Sequence, residues 1–198
     1  MSKILPKAFF EQSDVVFLAK DLIGKQLSTN INGVFTSGVI TETEAYAGRG
    51  DKACHAHLGR FTKRTKVMYE PGGIAYVYLC YGIHHLFNIV TNTEGNADAI
   101  LIRAVEPTDG IPYMLERRKK QKLDKTLTSG PGNVTKAMGI TKHHNEESVL
   151  GEYIWIEDHR RNIEQIKETT RIGIDYAGVD AELPWRFYDM NSSYVSVK

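Results

Sequence analysis

The sequence predicts an α+β fold, a single domain over residues 1–198 in which a curved, mostly antiparallel β-sheet is flanked by a few helices. Three observations predict it. Segments with the length and alternation of strands follow one another across short turns, helical periodicity is confined to a few segments, and no linker or repeat divides the chain. With 41% hydrophobic and 25% charged residues, 198 residues suffice for one core.

The first predicted elements are a helix and a hairpin. Ser13-Asp14 can cap a helix whose apolar residues recur over 15–23, and Gly24 follows as a residue that ends helices. Asn32-Gly33 is a dipeptide typical of tight hairpin turns. The two strands that it joins are predicted at Gln26–Ile31 and Val34–Tyr46.

Residues 47–70 are rich in glycine and basic residues and predict a long loop, which in a compact domain is usually either functional or disordered. Three strands with short turns are predicted after it, at Ile74–Tyr81, His84–Thr91 and Ala99–Val105. Helices are predicted at Ile111–Gln121 and in the stretch after Gly130-Pro131 through Met138. Later strands are predicted at Glu152–Ile156, Arg171–Ile174 and Trp185–Tyr188.

The formal net charge is only +1, but it is unevenly distributed. Residues 1–140 carry 18 Lys/Arg against 13 Asp/Glu, and residues 141–198 carry 7 against 11. The basic segments 60–66 and 117–125 could both meet phosphates. For 117–125 we favour the simpler interpretation of a solvated helix face, because that segment looks helical and exposed.

Several protein classes find no support in the sequence. No apolar run approaches the roughly 20 residues that cross a bilayer, and Met1–Pro6 lacks the apolar stretch of a secretory signal. Two cysteines form neither a disulfide framework nor a zinc motif, so a reduced, cytoplasmic location is expected. No phosphate-binding glycine loop and no nucleophile elbow occurs. His143-His144 with Glu146 leaves weak metal binding as a minor alternative to the expectation of no metal and no cofactor.

Two carboxylates lie in the second predicted strand. Strand alternation places Glu42, Glu44 and Tyr46 on one face, with Ile40 before them. A carboxylate that is buried there must be paired or have a shifted pKa. The alternative is an exposed sheet face, on which glutamate is common.

Tyrosines and one arginine complete the candidates. Tyr76 and Tyr78 share a face, as tyrosines in sheets often do, whereas Tyr81 falls at a turn from which its ring can project. Arg103 lies inside an apolar strand and needs an acidic or phosphate partner, which is either functional or a structural ion pair with Glu42 or Glu44.

In their order and spacing, these segments resemble the alkyladenine (3-methyladenine) DNA glycosylase family from about Phe17 to Val197. The matching pieces are Thr43-Glu44-Ala45-Tyr46, His55, Tyr76-Val77-Tyr78, Tyr81-Gly82, Asn88, Leu101 through Pro107, Ser129-Gly130-Pro131-Gly132 and Arg171-Ile172-Gly173. Each piece alone is weak evidence for the family, and their order and spacing together are specific for it.

The resemblance implies a monofunctional glycosylase that hydrolyses the N-glycosidic bond of alkylated or deaminated purines flipped out of duplex DNA, in base excision repair. Glu44 would activate the attacking water, which Arg103 and the backbone of Ile172 would also hold. No lyase activity is expected, because no lysine lies among the matched residues. The partner would be double-stranded DNA with damaged purines, the protein a monomer, and its location the nucleoid or the nucleus.

The resemblance also implies a base pocket and a DNA surface. Tyr46 and His55 on one side and Tyr78 on the other would stack on the base, Asn88 would disfavour guanine, and Leu101 would line the pocket. Tyr81 would fill the space that the flipped nucleotide leaves. Further DNA contacts are expected from His84, Met68, Thr62, Arg64 and Arg60.

The sequence departs from the family at two places. Asn133 stands where many relatives have a basic residue, and Tyr194 stands where a tryptophan is common. Two other functions stay open on the residues alone: a non-catalytic binder of damaged or distorted DNA on the same fold, and a hydrolase of glycosides or free nucleosides. The basic loop and the tyrosine at the strand end argue against the second.

Overall fold

The computed structural model describes residues 3–198 and shows an α+β domain. Its α-helices are α1 (Lys7–Phe10), α2 (Val15–Asp21), α3 (Ile111–Arg118) and α4 (Pro131–Met138). Its strands are β1 (Lys3–Ile4), β2 (Gln26–Ile31), β3 (Val34–Tyr46), β4 (Ile74–Cys80), β5 (His84–Thr91), β6 (Asp98–Asp109), β7 (Leu150–Gly151), β8 (Ile154–Asp158), β9 (Ile166–Thr169) and β10 (Arg186–Asp189). Short 3₁₀ helices cover His57–Gly59, Lys66–Tyr69, Lys125–Leu127, Lys142–His144 and Asp175–Glu182.

All of these strands belong to one curved sheet in which the neighbouring strands pair antiparallel. The order of the main path is β1-β8-β2-β3-β6-β5-β4, and β7 pairs with β8. Strand β10 pairs with the second half of β3 and carries β9 on its other side. The long strand β3 is therefore the central element, flanked by β6 along its length and by β2 and then β10 on its other edge.

A β-bulge in β3 decides which way its carboxylates point. The register with β6 shifts on both sides of Glu42. Thr41 and Glu42 consequently both reach the C-terminal segment, where the Thr41 hydroxyl donates to Tyr194 O and Glu42 accepts from Ser196. Ile40 instead packs in the main core together with Ala45, although strict alternation would place an even-numbered and an odd-numbered residue on opposite faces. The prediction that Ile40 shares a face with Glu42 and Glu44 is wrong, because a bulge breaks strict alternation.

Helices α2, α3 and α4 cover the main core with small and aliphatic side chains, which are fully buried. These residues are Leu18, Ala19, Leu22, Met114, Val134, Ala137 and Met138. A second apolar cluster lies under the loop 47–70 and contains Cys54, Ala56, Val67, Met68, Tyr76, Val90, Ala97 and Ala99. This second cluster anchors the loop beside the β3–β6–β5–β4 part of the sheet, where the candidate site lies.

The fold class is confirmed, and so are β2, β3, α2 and α4. Segment 47–70 has no strand or α-helix and holds two 3₁₀ turns. Helix α3 is shorter than predicted, because Lys119 adopts a left-handed conformation and ends it. The strand predicted at Arg171–Ile174 is wrong, since that segment is irregular and the pairing partner of β10 is β9.

We found no helix in the described part of the chain, residues 3–198, with the length and apolar character that a membrane crossing requires.

Candidate active site

Glu44 is held in the centre of the sheet by three donors. Its side chain is 0% exposed. Oε1 accepts from the backbone N–H of Ile172 at 2.7 Å, and Oε2 accepts from the Tyr46 hydroxyl at 2.8 Å and lies 3.2 Å from Nη1 of Arg103. Burial, followed by the nearby Glu44 charge, raises the pKa of Tyr46 well above its usual value, so the phenol stays protonated and donates. A carboxylate has about four acceptor directions, so one direction on Oε1 remains free.

Glu42, the other carboxylate, accepts four hydrogen bonds. Its Oε1 accepts from Arg103 Nε at 3.1 Å, from Arg186 Nη1 at 2.8 Å and from the Ser196 hydroxyl at 2.8 Å. Its Oε2 accepts from the Ser196 backbone N–H at 2.6 Å. Glu42 is thus the counter-ion of two buried arginines and is bound to the C-terminal segment, whereas Glu44 has three donors.

Arg103 bridges the two carboxylates, so the ion pair considered from the sequence exists with both glutamates. Burial lowers the pKa of its guanidinium, and Glu44 and Glu42 outweigh that effect and raise the pKa above its usual value. Arg103 and the Ile172 amide were predicted to hold a water. In this structure both contact Glu44 itself, so the water-binding role stays a prediction.

A cavity of about 590 Å³ lies next to this cluster. Its volume is in the range of small-molecule sites. The three donors to Glu44 (Tyr46, Arg103 and Ile172) line the cavity, and the carboxylate lies directly behind them. The other predicted pocket residues also line it: His55, Tyr78, Asn88 and Leu101. The structure therefore brings all the predicted catalytic and base-pocket residues together.

Three aromatic rings form one wall of the cavity. The rings of Tyr76 and Tyr78 lie 5.3 Å apart, and His55 meets Tyr78 edge-on at 4.8 Å. Burial, and then the positive charges of Arg64 and Arg60, lower the pKa of His55 to about 4, so its ring is neutral at pH 7. Nδ1 of His55 lies 2.8 Å from the Tyr76 hydroxyl. Tyr76, which the sequence suggested as an ordinary sheet residue, thus holds the His55 ring in place.

Asn88 is buried, and its side-chain amide donates to the Tyr76 carbonyl at 3.1 Å. This bond fixes the amide in the cavity wall. Leu101 pairs with Asn88 across β5 and β6 and adds an apolar surface beside it.

A buried ion pair that sequence reasoning missed supports the site from behind. Arg171 binds Asp51 through both of its terminal nitrogens and donates to Ala45 O at 2.9 Å. Its guanidinium stacks over the Tyr46 ring at 4.9 Å and over Trp185 at 5.1 Å. The pair joins the loop 47–70 to the segment that carries the Ile172 amide. Its only sequence signal was the position of Arg171 directly before Ile172.

Tyr81 projects from the tip of the β4–β5 hairpin. It is 89% exposed and adopts a φ of +50°, and Gly82 follows with a φ of +73°. Ile83 N donates to Cys80 O across this turn. A bulky residue in the left-handed region is strained, and such strain tends to occur at functional positions. His84 is also exposed, and its ring packs on Gly132 so closely that a Cβ there would lie 2.9 Å from it.

The basic loop residues have different locations. Arg60 and Thr62 are exposed, and Thr62 forms a local turn with Thr65. Arg64 lines the cavity with its guanidinium over Tyr78. Met68 was expected on the DNA surface, but it is 2% exposed and lies in the cavity wall. We correct its placement accordingly, because the second apolar cluster packs around it.

The cluster 117–125 has structural partners. Arg117 donates to Ala137 O at 3.0 Å, Arg118 donates to Leu127 O at 3.1 Å, and Lys120 binds Asp124 at 3.0 Å. These bonds satisfy carbonyls around α3 and α4. The predicted solvated helix face is thus partly wrong, since its two arginines are half-buried.

The residue types present offer little to a metal. Among residues 3–198, no three His, Cys, Asp or Glu side chains cluster as a metal site. His144, one of the weak candidates, uses Nδ1 to accept from the Thr141 amide, and Glu146 pairs with Lys66. Within the same described range, the cavity lining includes no lysine that could form a Schiff base.

Flat aromatic walls suit a planar heterocycle, and basic residues at the rim suit a polyanion. The geometry is therefore that of an enzyme acting on a base of nucleic acid. Residues 8–193 match the family described as Methylpurine-DNA glycosylase (MPG). The chain belongs to this family and is a DNA glycosylase, a hydrolase of N-glycosyl bonds that acts in DNA repair.

Curated relatives agree with the family. A protein of Chlamydia felis is 49% identical over 185 residues, covering 93% of this chain and 95% of its own. A protein of Clostridium acetobutylicum is 42% identical and covers 95% of each chain. One of Desulfitobacterium hafniense is 41% identical and covers 99% of this chain and 100% of its own. Each is named "Putative 3-methyladenine DNA glycosylase". The predicted family and enzyme class are confirmed.

Proposed function

We propose that this protein is a monofunctional glycosylase that releases alkylated purines, 3-methyladenine among them, and deaminated purines from nucleotides flipped out of duplex DNA. The alkylated purines are supported by the family description and the names of the relatives, whereas the deaminated purines and the flipping of the nucleotide are part of the proposal. The observation that carries the mechanism is Glu44, a fully buried carboxylate behind an aromatic cavity with one acceptor direction of Oε1 unoccupied.

In the proposed reaction, Glu44 takes a proton from a water while the water oxygen bonds to C1′ of the deoxyribose. The C1′–N bond breaks, and its electron pair leaves with the purine. An N-alkylated purine that carries positive charge leaves as a neutral base and needs no acid. The negative Glu44 also stabilises the positive charge that develops on the sugar.

Arg103 pairs with Glu44, and the Ile172 amide and the Tyr46 hydroxyl orient the carboxylate. These groups leave one acceptor direction on Oε1, along which the attacking water would bind Glu44. Tyr81 would fill the vacated space in the duplex, a role that its exposed position at the hairpin tip supports.

The test is Glu44→Gln on a duplex with methylated purines, with released bases measured by chromatography. We expect the release rate to fall about 10²–10⁴-fold, as for the loss of a positioned general base. Affinity for the lesion duplex should change little, because the amide keeps the size of the side chain. Glu168→Gln, which removes an exposed carboxylate that pairs with Lys20, is the matched control and should release bases at the normal rate.

Wild-type release by Glu44→Gln would refute the catalytic assignment. Tight lesion binding by the wild-type protein without any base release would instead favour a DNA binder.

A further inference from the structure

The guanidinium of Arg64 lies against the aromatic wall of the cavity, although Arg64 is an exposed residue. Its Cζ is 4.6 Å from the centre of the Tyr78 ring. Its Nε donates to the Tyr76 hydroxyl at 3.2 Å, and Nη2 lies 3.2 Å from Nε2 and 3.5 Å from Nδ1 of the His55 ring. The three rings therefore bind the guanidinium as a small cage binds a ligand.

Arg64 occupies a ring face on which a base could stack. The His55 and Tyr78 rings meet edge-on with centroids 4.8 Å apart in the same wall of the cavity, so the two rings do not lie on opposite sides of a base as was expected from the sequence. A guanidinium is itself flat and conjugated, so Arg64 stacks on Tyr78 where a base would stack. Arg64 and a base cannot occupy that face together.

We propose that Arg64 is a specificity-determining residue whose guanidinium fills the aromatic cage of the free protein and leaves it only when a DNA phosphate takes it up. The proposal rests on the proposed function, because it assumes that the damaged base binds in this cavity. The consequence is that the protein selects DNA over free bases and nucleosides. A nucleotide within DNA brings a phosphate that draws Arg64 out of the cage, whereas a free base or nucleoside brings none.

The position of Arg64 suits such a transfer. Arg64 is exposed and belongs to the basic segment 60–66, so it borders both the solvent and the cavity that it lines. A guanidinium can bind phosphate through two parallel charge-assisted bonds, which are stronger than a contact with an aromatic face at an exposed site. Two different partners, one inside the cavity and one on DNA, thus compete for the same group.

The experiment measures binding of free 1,N⁶-ethenoadenine, a flat, neutral and fluorescent base, to the wild type and to Arg64→Ala. The variant should bind it about 5- to 30-fold more tightly, because the bonds and the ring contact of Arg64 no longer have to break. Arg64→Lys, which keeps the charge but has no flat group, should lie between the two. The matched control is Arg161→Ala, whose guanidinium pairs with Glu106 outside the cavity and whose loss should leave the affinity unchanged.

A second measurement compares base release from methylated duplex DNA and from 7-methyl-2′-deoxyguanosine. Arg64→Ala should lower the ratio of the duplex rate to the nucleoside rate by at least the gain seen with the free base. An unchanged or weaker affinity of Arg64→Ala for the free base, or an equal gain in Arg161→Ala, overturns the role of Arg64. If that happens while the wild type releases purines from DNA, the proposed function stands. A wild type that releases none refutes the proposed function first.

Discussion

The ion pair of Arg171 and Asp51 allows a quantitative prediction. Arg171 is 5% exposed, and its guanidinium donates twice to Asp51, once to Ala45 O at 2.9 Å and once to Asp180 O at 3.0 Å. Replacing Arg171 with Met keeps most of the side chain's volume but removes the charge and all four bonds. Asp51 then remains as a buried carboxylate without its cation.

Removing one partner of a buried ion pair costs about 3–5 kcal/mol. In a domain of this size, each kcal/mol lowers the melting temperature by about 2–4 °C. We therefore expect Arg171→Met to lower the melting temperature by roughly 6–20 °C. Asp51→Asn should cost a similar amount, since it leaves the Arg171 charge unpaired.

The double variant is the decisive measurement. Arg171→Met with Asp51→Asn leaves no unpaired charge, so it should be less destabilised than the sum of the two single variants by about 1–3 kcal/mol. Urea unfolding followed by circular dichroism gives all three free energies of unfolding. Additive effects, or a cost below about 1 kcal/mol for Arg171→Met, would refute the claim that the pair supports the site.

The other predictions concern the hairpin tip, the counter-ion and a buried acid. Tyr81→Ser should weaken binding to a lesion duplex by about 10-fold, worth roughly 1–2 kcal/mol of stacking, with no loss of melting temperature; unchanged affinity would rule out its role in the duplex. Glu42→Gln leaves two buried arginines undercompensated and should cost about 3–5 kcal/mol in urea unfolding, and a cost below 1 kcal/mol would contradict this. Burial raises the pKa of Asp98 to about 6, so the folded protein binds more protons than the unfolded chain between about pH 4 and 6. The contribution of Asp98 to the free energy of unfolding therefore falls as the pH rises through that window. His55, with a pKa of about 4, acts in the opposite direction between about pH 4 and 6.5, so Asp98→Asn should show melting temperatures that rise over this range more steeply than those of the wild type. Parallel curves for the two proteins would contradict the assignment to Asp98.

The sequence predicts the elements whose signals are local. Strands β2 and β3 agree with their predicted bounds, because their alternation is regular and Asn32-Gly33 marks the turn. Strand β6 is longer than predicted, since it continues past Pro107, which lies next to a register shift with β3. A bulge tolerates a residue without an N–H, and a register shift of this kind is not visible in the local sequence pattern. The short strand β9 is mostly polar, and only its pairing with β10 defines it.

The residues of the candidate site could be predicted from their types and from the family pattern. The choice between Glu42 and Glu44 was not, because it depends on donors more than a hundred residues away. Ser196 occupies one carboxylate and the Ile172 amide orients the other. The placement of Arg64 inside the cavity was also beyond sequence reasoning, since a basic run looks the same whether its side chains point outward or inward.

The anchoring of Ser196 on Glu42 has a consequence for biosynthesis. Glu42 and Arg103 are translated long before the segment that covers them. Until synthesis has passed residue 196, two of the four hydrogen bonds to this carboxylate cannot form. The charged centre around Glu42, with Arg103 and Arg186, therefore closes only when this late segment docks.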